Sequence, residues 1–288
     1  MPYSPRCSAP VKVFEWLLTY LEEKLPPRPE LPPSGRTGRP PLTLAQRLEA
    51  LWLVSVDGLS YRRAARVLAV GKTSVGESLD LLVGHLADLG FCQPDGTFIR
   101  TTEDLSAELD YLESYGEAVC LDGAGIRTQM PSSRANSREL YDAHHHQCGV
   151  QAVVLSNIYG DLLWVDGGVP GRAHELTVVE CIGLAQVLAD SRVIVVADRG
   201  YRGLDRRDGI NSVTPIGQWK RRVSLDGATQ DRNLAQQGVR SCVERAVAHL
   251  ANAAAFRYWR GRIARIRDVI RVVGALMSLS RWIDRVPA

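Results

Sequence analysis

The chain has 288 residues, 45% of them hydrophobic and 23% charged, an ordinary globular composition that excludes a disordered or fibrous protein. Its six cysteines, Cys7, Cys92, Cys120, Cys148, Cys181 and Cys242, form no Cys-x-x-Cys pair, which argues against a structural zinc site or a disulfide framework and suits a reducing cytoplasm. Net charge is only +3 but uneven: acids outnumber bases as far as Glu117, whereas from Arg240 onward ten arginines face only Glu244, Asp268 and Asp284.

An arginine-rich end suits phosphate contact, although a solvated basic helix face has the same composition. The opening MPYSPRCSAP lacks a basic stretch followed by an apolar core, so no secretory signal is expected. Val11 to Leu25 has helical spacing, with Val13, Leu17, Leu18, Leu21 and Leu25 on one face, and Pro26-Pro27 ends it. The next stretch is too rich in Pro and Gly to pack and reads as a linker arm, 26–41. Arg36 and Arg39 on that arm are candidates for a narrow minor groove, against the plainer reading of a basic linker.

Leu44 to Val56 predicts a helix broken by Gly58, and Ser60 caps a second helix, Tyr61 to Leu68. After the turn Ala69-Val70-Gly71 a third helix opens with Lys72-Thr73-Ser74. Two helices joined by a short turn with glycine, the second opening on small polar residues, form a helix-turn-helix pattern. Lys72, Thr73, Ser74, Glu77 and Ser78 would then face the major groove. A plain helical hairpin has the same pattern. These features define an all-α DNA-binding domain over 42–92, after an N-terminal helix over 1–25. Gly90 to Arg100 is a turn-rich joint around Pro94-Asp95-Gly96, and the connector, 93–115, continues with Thr101 or Thr102 capping a helix from Glu103 to Glu113.

From residue 116 the pattern changes. Ala118 to Arg127 is a strand with Asp122 in mid-run, a costly place for a carboxylate unless it is paired, binds a cation or is a strand-edge or bulge residue. Pro131 to Arg138 reads as a loop, and Gln147 to Ile158 and Leu162 to Gly167 as an antiparallel hairpin. A helix from His174 to Leu188 leads to VIVVADRGYRG, Val193 to Gly203, a β-branched run expected to be buried on both faces. Asp198 ends that run, where open α/β sheets place ligands, or else merely starts a turn. Ser212 to Gly217 reads as a short strand, Gln218 to Arg232 as a basic loop and Leu234 to Ala255 as a helix carrying Arg240 and Glu244 on one face. Ile263 to Ile283 carries too many charges for a membrane span and reads as an amphipathic helix. Three antiparallel strands, a helical crossover and a further strand imply a mixed sheet flanked by helices.

The pieces LDGAGIR (Leu121 to Arg127), VPGRAHELT (Val169 to Thr177), ADRGYRG (Ala197 to Gly203) and RSCVERAVAHL (Arg240 to Leu250), in this order, carry a family resemblance. The Tyr141 segment leading to GVQAVV belongs with them. The chain resembles DDE superfamily endonucleases, the transposases of bacterial insertion sequences, in the branch related to Harbinger elements. The resemblance implies an α/β RNase H-like catalytic domain over 116–288, preceded by the helix-turn-helix domain. It also implies Asp122, Asp198 and Glu244 as the catalytic and metal-binding triad, holding Mg²⁺ or Mn²⁺ as two ions. Such a pair of ions, about 3.5–4 Å apart, stabilises the attacking and leaving oxygens of a phosphodiester.

The implied activity is cleavage of double-stranded DNA at terminal inverted repeats and strand transfer to target DNA by a homo-oligomer, in a bacterial cytoplasm at the nucleoid. Arg240 matches the family arginine one turn before the glutamate, as a phosphate contact or a guide for Glu244, and Arg245 follows it as a DNA-binding candidate. His174 and Glu175 match a His-Asp pair. There are two departures: Asp142 to His146 replaces a basic loop, with neutral histidines binding phosphate more weakly, and Ala251 stands where the family has lysine. These losses keep open a rival, a degenerate or host-recruited DNA-binding protein without transposition activity. A nuclease of the same fold acting on RNA is a further rival, disfavoured by the helix-turn-helix.

Overall fold

The computed structural model describes residues 5–26, 42–131, 133–143, 145–207, 209–216 and 226–286. Arg36, Arg39, most of the 26–41 arm, His144 and the basic Lys220 to Arg222 segment lie outside the described residues. Among the described residues no helix is long and apolar enough to cross a membrane.

The N-terminal part is helical. Helix α1 (Val11–Lys24) buries Val13, Phe14, Leu17 and Leu21. Helix α2 (Leu44–Ser55) starts on a reciprocal cap: Gln46 N–H donates to Thr43 Oγ1 at 3.2 Å and Thr43 N–H to Gln46 Oε1 at 3.0 Å. Ser60 caps α3 (Tyr61–Val67), and the turn through Ala69, at φ +53°, leads into α4 (Lys72–Ala87). Arg265, buried although charged, ties α3 and α4 to the far end of the chain by an ion pair with Asp80 and a 2.8 Å hydrogen bond to the Tyr61 hydroxyl.

The expected joint at Gly90 to Arg100 holds a two-stranded ribbon, β1 (Phe91–Cys92) with β2 (Phe98–Ile99), because Phe91 and Ile99 both bury their side chains. Helix α5 (Thr102–Ser114) follows, capped by Thr101 with Asp104 returning the bond.

The sheet begins with β3 (Ala118–Thr128). Pro131 to Arg138 was expected to be loop, but Arg134–Leu140 is helix α6, ending in the short β4 (Tyr141–Asp142). The hairpin is present as β5 (Gln147–Asn157) and β6 (Leu162–Pro170). The expected single helix from His174 is two, α7 (Glu175–Cys181) and α8 (Leu184–Asp190), because Gly183 between them takes φ +79°. Then come β7 (Ile194–Ala197), a 3₁₀ turn (Arg199–Tyr201), α9 (Leu204–Arg207) and β8 (Ser212–Val213). Burial of β7 is incomplete, with Ile194 41% exposed at the edge of its run.

Helix α10 (Gly227–Leu250) starts seven residues before the expected Leu234, inside a segment read as loop, because Asp226 accepts from Thr229 N–H at 2.7 Å and caps it. The chain closes with α11 (Ala254–Arg257), β9 (Tyr258–Trp259) and α12 (Ile266–Arg285). The central strand order is β6-β5-β3-β7-β8: β6, β5 and β3 are antiparallel, and β3, β7 and β8 are parallel. Short β4 extends β5, and β9 extends β3.

One buried cluster includes Leu17 of α1, Leu51 of α2, Leu82 of α4, Val154 of β5 and Leu276 of α12, so helices and sheet share a core. The seam is α12. Gly274 lets it approach so closely that a Cβ there would stand 2.3 Å from Val165 of β6 and 2.8 Å from Phe91. Asp166, 1% exposed, anchors the same helix: its two oxygens accept from Arg267 Nε at 2.9 Å and Nη2 at 2.8 Å, with Arg271 Nη1 at 3.5 Å. Breaking a buried pair on one side costs about 3–5 kcal/mol, less where a partner reaches water. Since Arg267 is half exposed, Asp166→Ala is expected to lower unfolding stability by about 2–3 kcal/mol, read from the midpoint of urea denaturation at unchanged slope.

Candidate active site

The site begins with strand pairing. Val119, Cys120 and Leu121 of β3 are fully buried, as are Val195 and Ala197 of β7. These runs pair in parallel, with Cys120 opposite Val196 and Leu121 opposite Ala197. One step further along each strand stand Asp122 and Asp198. Neighbouring strands are about 4.8 Å apart, so the register brings two half-buried carboxylates side by side at the C-terminal end of β7. Asp122 Oδ1 accepts from Gly123 N–H at 2.9 Å, and Asp198 Oδ1 accepts from Gly200 N–H at 2.8 Å. Asp198 thus also starts a turn, capping Arg199–Tyr201.

Helix α10 supplies the next groups. Cys120 Sγ lies 3.5 Å from the Val239 carbonyl, so α10 covers the β3 face that Cys120 and, by alternation, Asp122 point to. Gln236 fixes the helix against the strand ends: its Nε2 donates to the Ala197 carbonyl at 3.0 Å and the Val213 carbonyl at 2.8 Å. One and two turns later come Arg240 and Glu244, paired at 3.6 Å. Arg240 is mostly covered and Glu244 about half exposed, with side-chain exposures of 17% and 53%. Both act on Asp122. Desolvation raises the Asp122 pKa, Gly123 N–H and Arg240 oppose the rise, and Asp198 and Glu244 add to it. Gln236 escaped the sequence reading; the available signal was a polar residue in line with Arg240 and Glu244 at four-residue steps.

The structure adds a fourth carboxylate. The His174 ring accepts from Leu176 N–H at 3.3 Å, capping α7 and setting Glu175 at its start. Glu175 lies against the Gly200 backbone, where a Cβ would collide with its carboxylate. Its pKa is pushed up to about 6, chiefly by burial, then by Asp198 and Asp122, with Arg240 opposing. Tyr201 is fully buried beneath them. Its hydroxyl stands 3.2 Å from where a Gly123 Cβ would be, and burial raises its pKa well above the ordinary tyrosine value. Glycines at 123 and 200 are what admit these two side chains.

The donor set is all hard oxygen, the chemistry Mg²⁺ or Mn²⁺ takes, and the buried Glu175 Oε2 has no hydrogen-bond partner. Among the described residues no group of three or more His, Cys, Asp or Glu side chains is placed to hold a metal ion as it stands; the acids fit a divalent cation by donor type.

The other candidates scatter. On α4, Lys72, Thr73 and Glu77 are exposed and Ser74 is half-buried. Ser78 is a correction: it is fully buried, its hydroxyl donating to the Ser74 carbonyl at 2.7 Å, so it cannot reach a groove. Its helical position turns it toward the core side shared with Leu79 and Leu82. Arg245 is exposed, with Nη2 3.2 Å from Cys242 Sγ. His145 Nδ1 pairs with Asp142 at 2.7 Å, away from the four acids.

The two raised carboxylates make a pH prediction. A carboxyl whose folded pKa exceeds its unfolded one stabilises the fold at pH values below the unfolded pKa and loses that contribution as pH rises through the folded pKa. For Glu175 the window runs from 4.5 to about 6, and Asp122 acts in the same direction. In chelator, the melting temperature is expected to fall across that window, and Glu175→Gln to flatten the fall. An identical profile in the variant would refute the assignment.

Against known proteins, the family model described as DDE superfamily endonuclease matches residues 121–281. Among solved structures, the chain is similar to the Mos1 transposase paired-end complex with left transposon end, at 13% identity over 88% of this chain and 90% of that one, with TM-score 0.22. It is also similar to the mariner Mos1 paired end complex with Mg, at 15% identity over 96% and 86%, with TM-score 0.27. A comparison with curated protein sequences found no match. The matched span runs from Leu121 in β3 into α12 and contains all four acids. The chain belongs to the DDE superfamily endonucleases.

Proposed function

We propose that the chain is a metal-dependent DNA transposase that cuts at the terminal inverted repeats of its own element and joins the ends to target DNA. The observation that carries this reading is the placing of Asp122 and Asp198 one step beyond the Leu121–Ala197 pair of the parallel strands, with Arg240 and Glu244 on α10 beside them. The strand order, three antiparallel strands then two parallel ones, supports an RNase H-like catalytic unit over 116–288. Asp122, Asp198 and Glu244 are the residues to hold Mg²⁺ or Mn²⁺. Bound there, two ions would neutralise charge on the attacking and leaving oxygens.

The chain's own groups have separate tasks. The half-buried strand ends lower the local dielectric, which strengthens every charge interaction with a phosphodiester. Arg240 offsets the acids in the protein alone and can turn a guanidinium toward DNA phosphate. Helices α3 and α4 serve as a helix-turn-helix within 42–92, with Lys72, Thr73, Ser74 and Glu77 toward the major groove. Arg36 and Arg39 reach the minor groove, and Arg245 contacts backbone phosphate. The family branch related to Harbinger elements, a bacterial host and a homo-oligomeric DNA complex belong to the same proposal.

A second reading, a DNA-binding protein that no longer transposes, is favoured by two observations. Glu244 is about half exposed and engaged by Arg240, and Ala251 carries no charge. Labelled duplexes carrying the inverted repeats that flank the gene separate the two. With Mg²⁺, the transposase nicks them. Asp122→Asn and Asp198→Asn each reduce nicking by at least about 100-fold, since even groups supporting a metal ligand cost about 10–100-fold, while binding persists. Specific binding without nicking, unchanged by Asp198→Asn, establishes the second reading. Lys72→Ala is expected to weaken binding across sequences and to reduce the salt slope by about 1, measured by fluorescence anisotropy over a salt series.

A further inference from the structure

We infer that Glu175 is a fourth ligand-bearing carboxylate of the divalent-cation site, given its space by Gly200 and lying above the Tyr201 hydroxyl. The inference rests on the metal-site reading of Asp122 and Asp198 and deepens it.

Three observations carry it. First, Glu175 Oε2 is buried and has no hydrogen-bond partner. A carboxylate oxygen withdrawn from water without a donor is costly, so an oxygen kept there is aimed at something it binds. Second, the Tyr201 hydroxyl is also without a partner on a fully buried side chain, and it lies beneath Glu175 at the Gly123 gap. Two unmatched buried polar atoms at one strand end mark a polar ligand's place, with the phenol able to donate to a carboxylate that turns to meet a cation. Third, the backbone is shaped around Glu175. Gly200 has an ordinary negative φ that any residue could adopt, so its lack of a side chain serves space, not conformation. The residue that needs that space is Glu175.

The position also makes chemical sense. Asp198 is fixed on one oxygen by Gly200 N–H, and Glu175 approaches the same backbone unit from α7. A cation at Asp198 would meet carboxylates from β7 and α7 together, while Glu244 approaches from α10 on the side of Asp122. Four carboxylates and one arginine leave the protein alone with uncompensated like charges, the condition a divalent cation relieves.

The test uses the full chain and Mn²⁺ alone, followed by electron paramagnetic resonance of free Mn²⁺ and by the melting temperature with and without the metal. Glu175→Gln removes the charge and keeps the shape. Gly200→Ala keeps the charge and displaces the carboxylate. Each is expected to weaken Mn²⁺ binding by at least about tenfold and to shrink the metal-induced rise in melting temperature. Glu175→Gln should also melt higher than wild type in chelator, having one like charge fewer. Tyr201→Phe should weaken Mn²⁺ binding without raising that melting temperature. Wild-type Mn²⁺ binding in both Glu175→Gln and Gly200→Ala, with binding lost in Asp198→Asn, overturns the role of Glu175 and leaves the metal-site reading standing. Binding unchanged in Asp198→Asn as well, or no binding by wild type at millimolar Mn²⁺, overturns both. If Glu175→Gln does not fold by circular dichroism, Gly200→Ala decides alone.

Discussion

The parallel pairing of β3 with β7 is the constraint from which the rest of the site follows. Four residue pairs, ending at Leu121 and Ala197, are enough to place Asp122 beside Asp198. Each aspartate alone has an ordinary explanation, one as a strand irregularity and the other as a turn former. Side by side at a strand end they share a field, and desolvation by burial, with a smaller contribution from Asp198, raises the pKa of Asp122. Parallel strands leave this space open because the chain must depart and return by a crossover, so side chains at the strand ends face a crevice.

Charge balance around the pair comes from α10. Gln236 bridges the carbonyls of Ala197 and Val213, which fixes the helix in height against the two parallel strands. Arg240 and Glu244 then arrive at the level of the aspartates because they lie one and two turns further along the same stripe. Arg240 opposes the rise in pKa at both Asp122 and Glu175, so a single cation moderates acids from β3 and α7. Its own pairing with Glu244, with one partner half exposed, is too weak to hold the helix. Gln236 and the buried apolar stripe do that.

The far end of the chain completes the enclosure. Helix α12 rests on β6 through Gly274 and is anchored by Asp166, while the preceding turn reaches α3 and α4 through Arg265. Arginines that look in sequence like a basic surface are divided by this arrangement. Arg265, Arg267, Arg271, Arg281 and Arg285 have acidic partners inside the protein. The arginine-rich composition of this end therefore serves internal pairing.

Local regularities were legible in the sequence wherever one short-range rule dominated. The β-branched run before Asp198, the strand around Asp122, the cap at Ser60 and the i,i+4 relation of Arg240 and Glu244 need only periodicity and capping chemistry. Short-range rules break down where a single residue alters the outcome through backbone or packing. Gly183 split a helix, Asp226 began one inside an apparent loop, and Phe91 with Ile99 turned a joint into a ribbon. Ser78 shows the same limit on a finer scale, since a polar residue type does not reveal that its hydroxyl folds back to Ser74. The order of Asp122, Asp198 and Glu244 and their elements belong to the sequence alone. Tertiary structure decided that Glu175 and Tyr201 join them, through glycines at 123 and 200 whose importance lies in what approaches them. That proximity joins residues distant in the chain, and short-range periodicity carries no information about it.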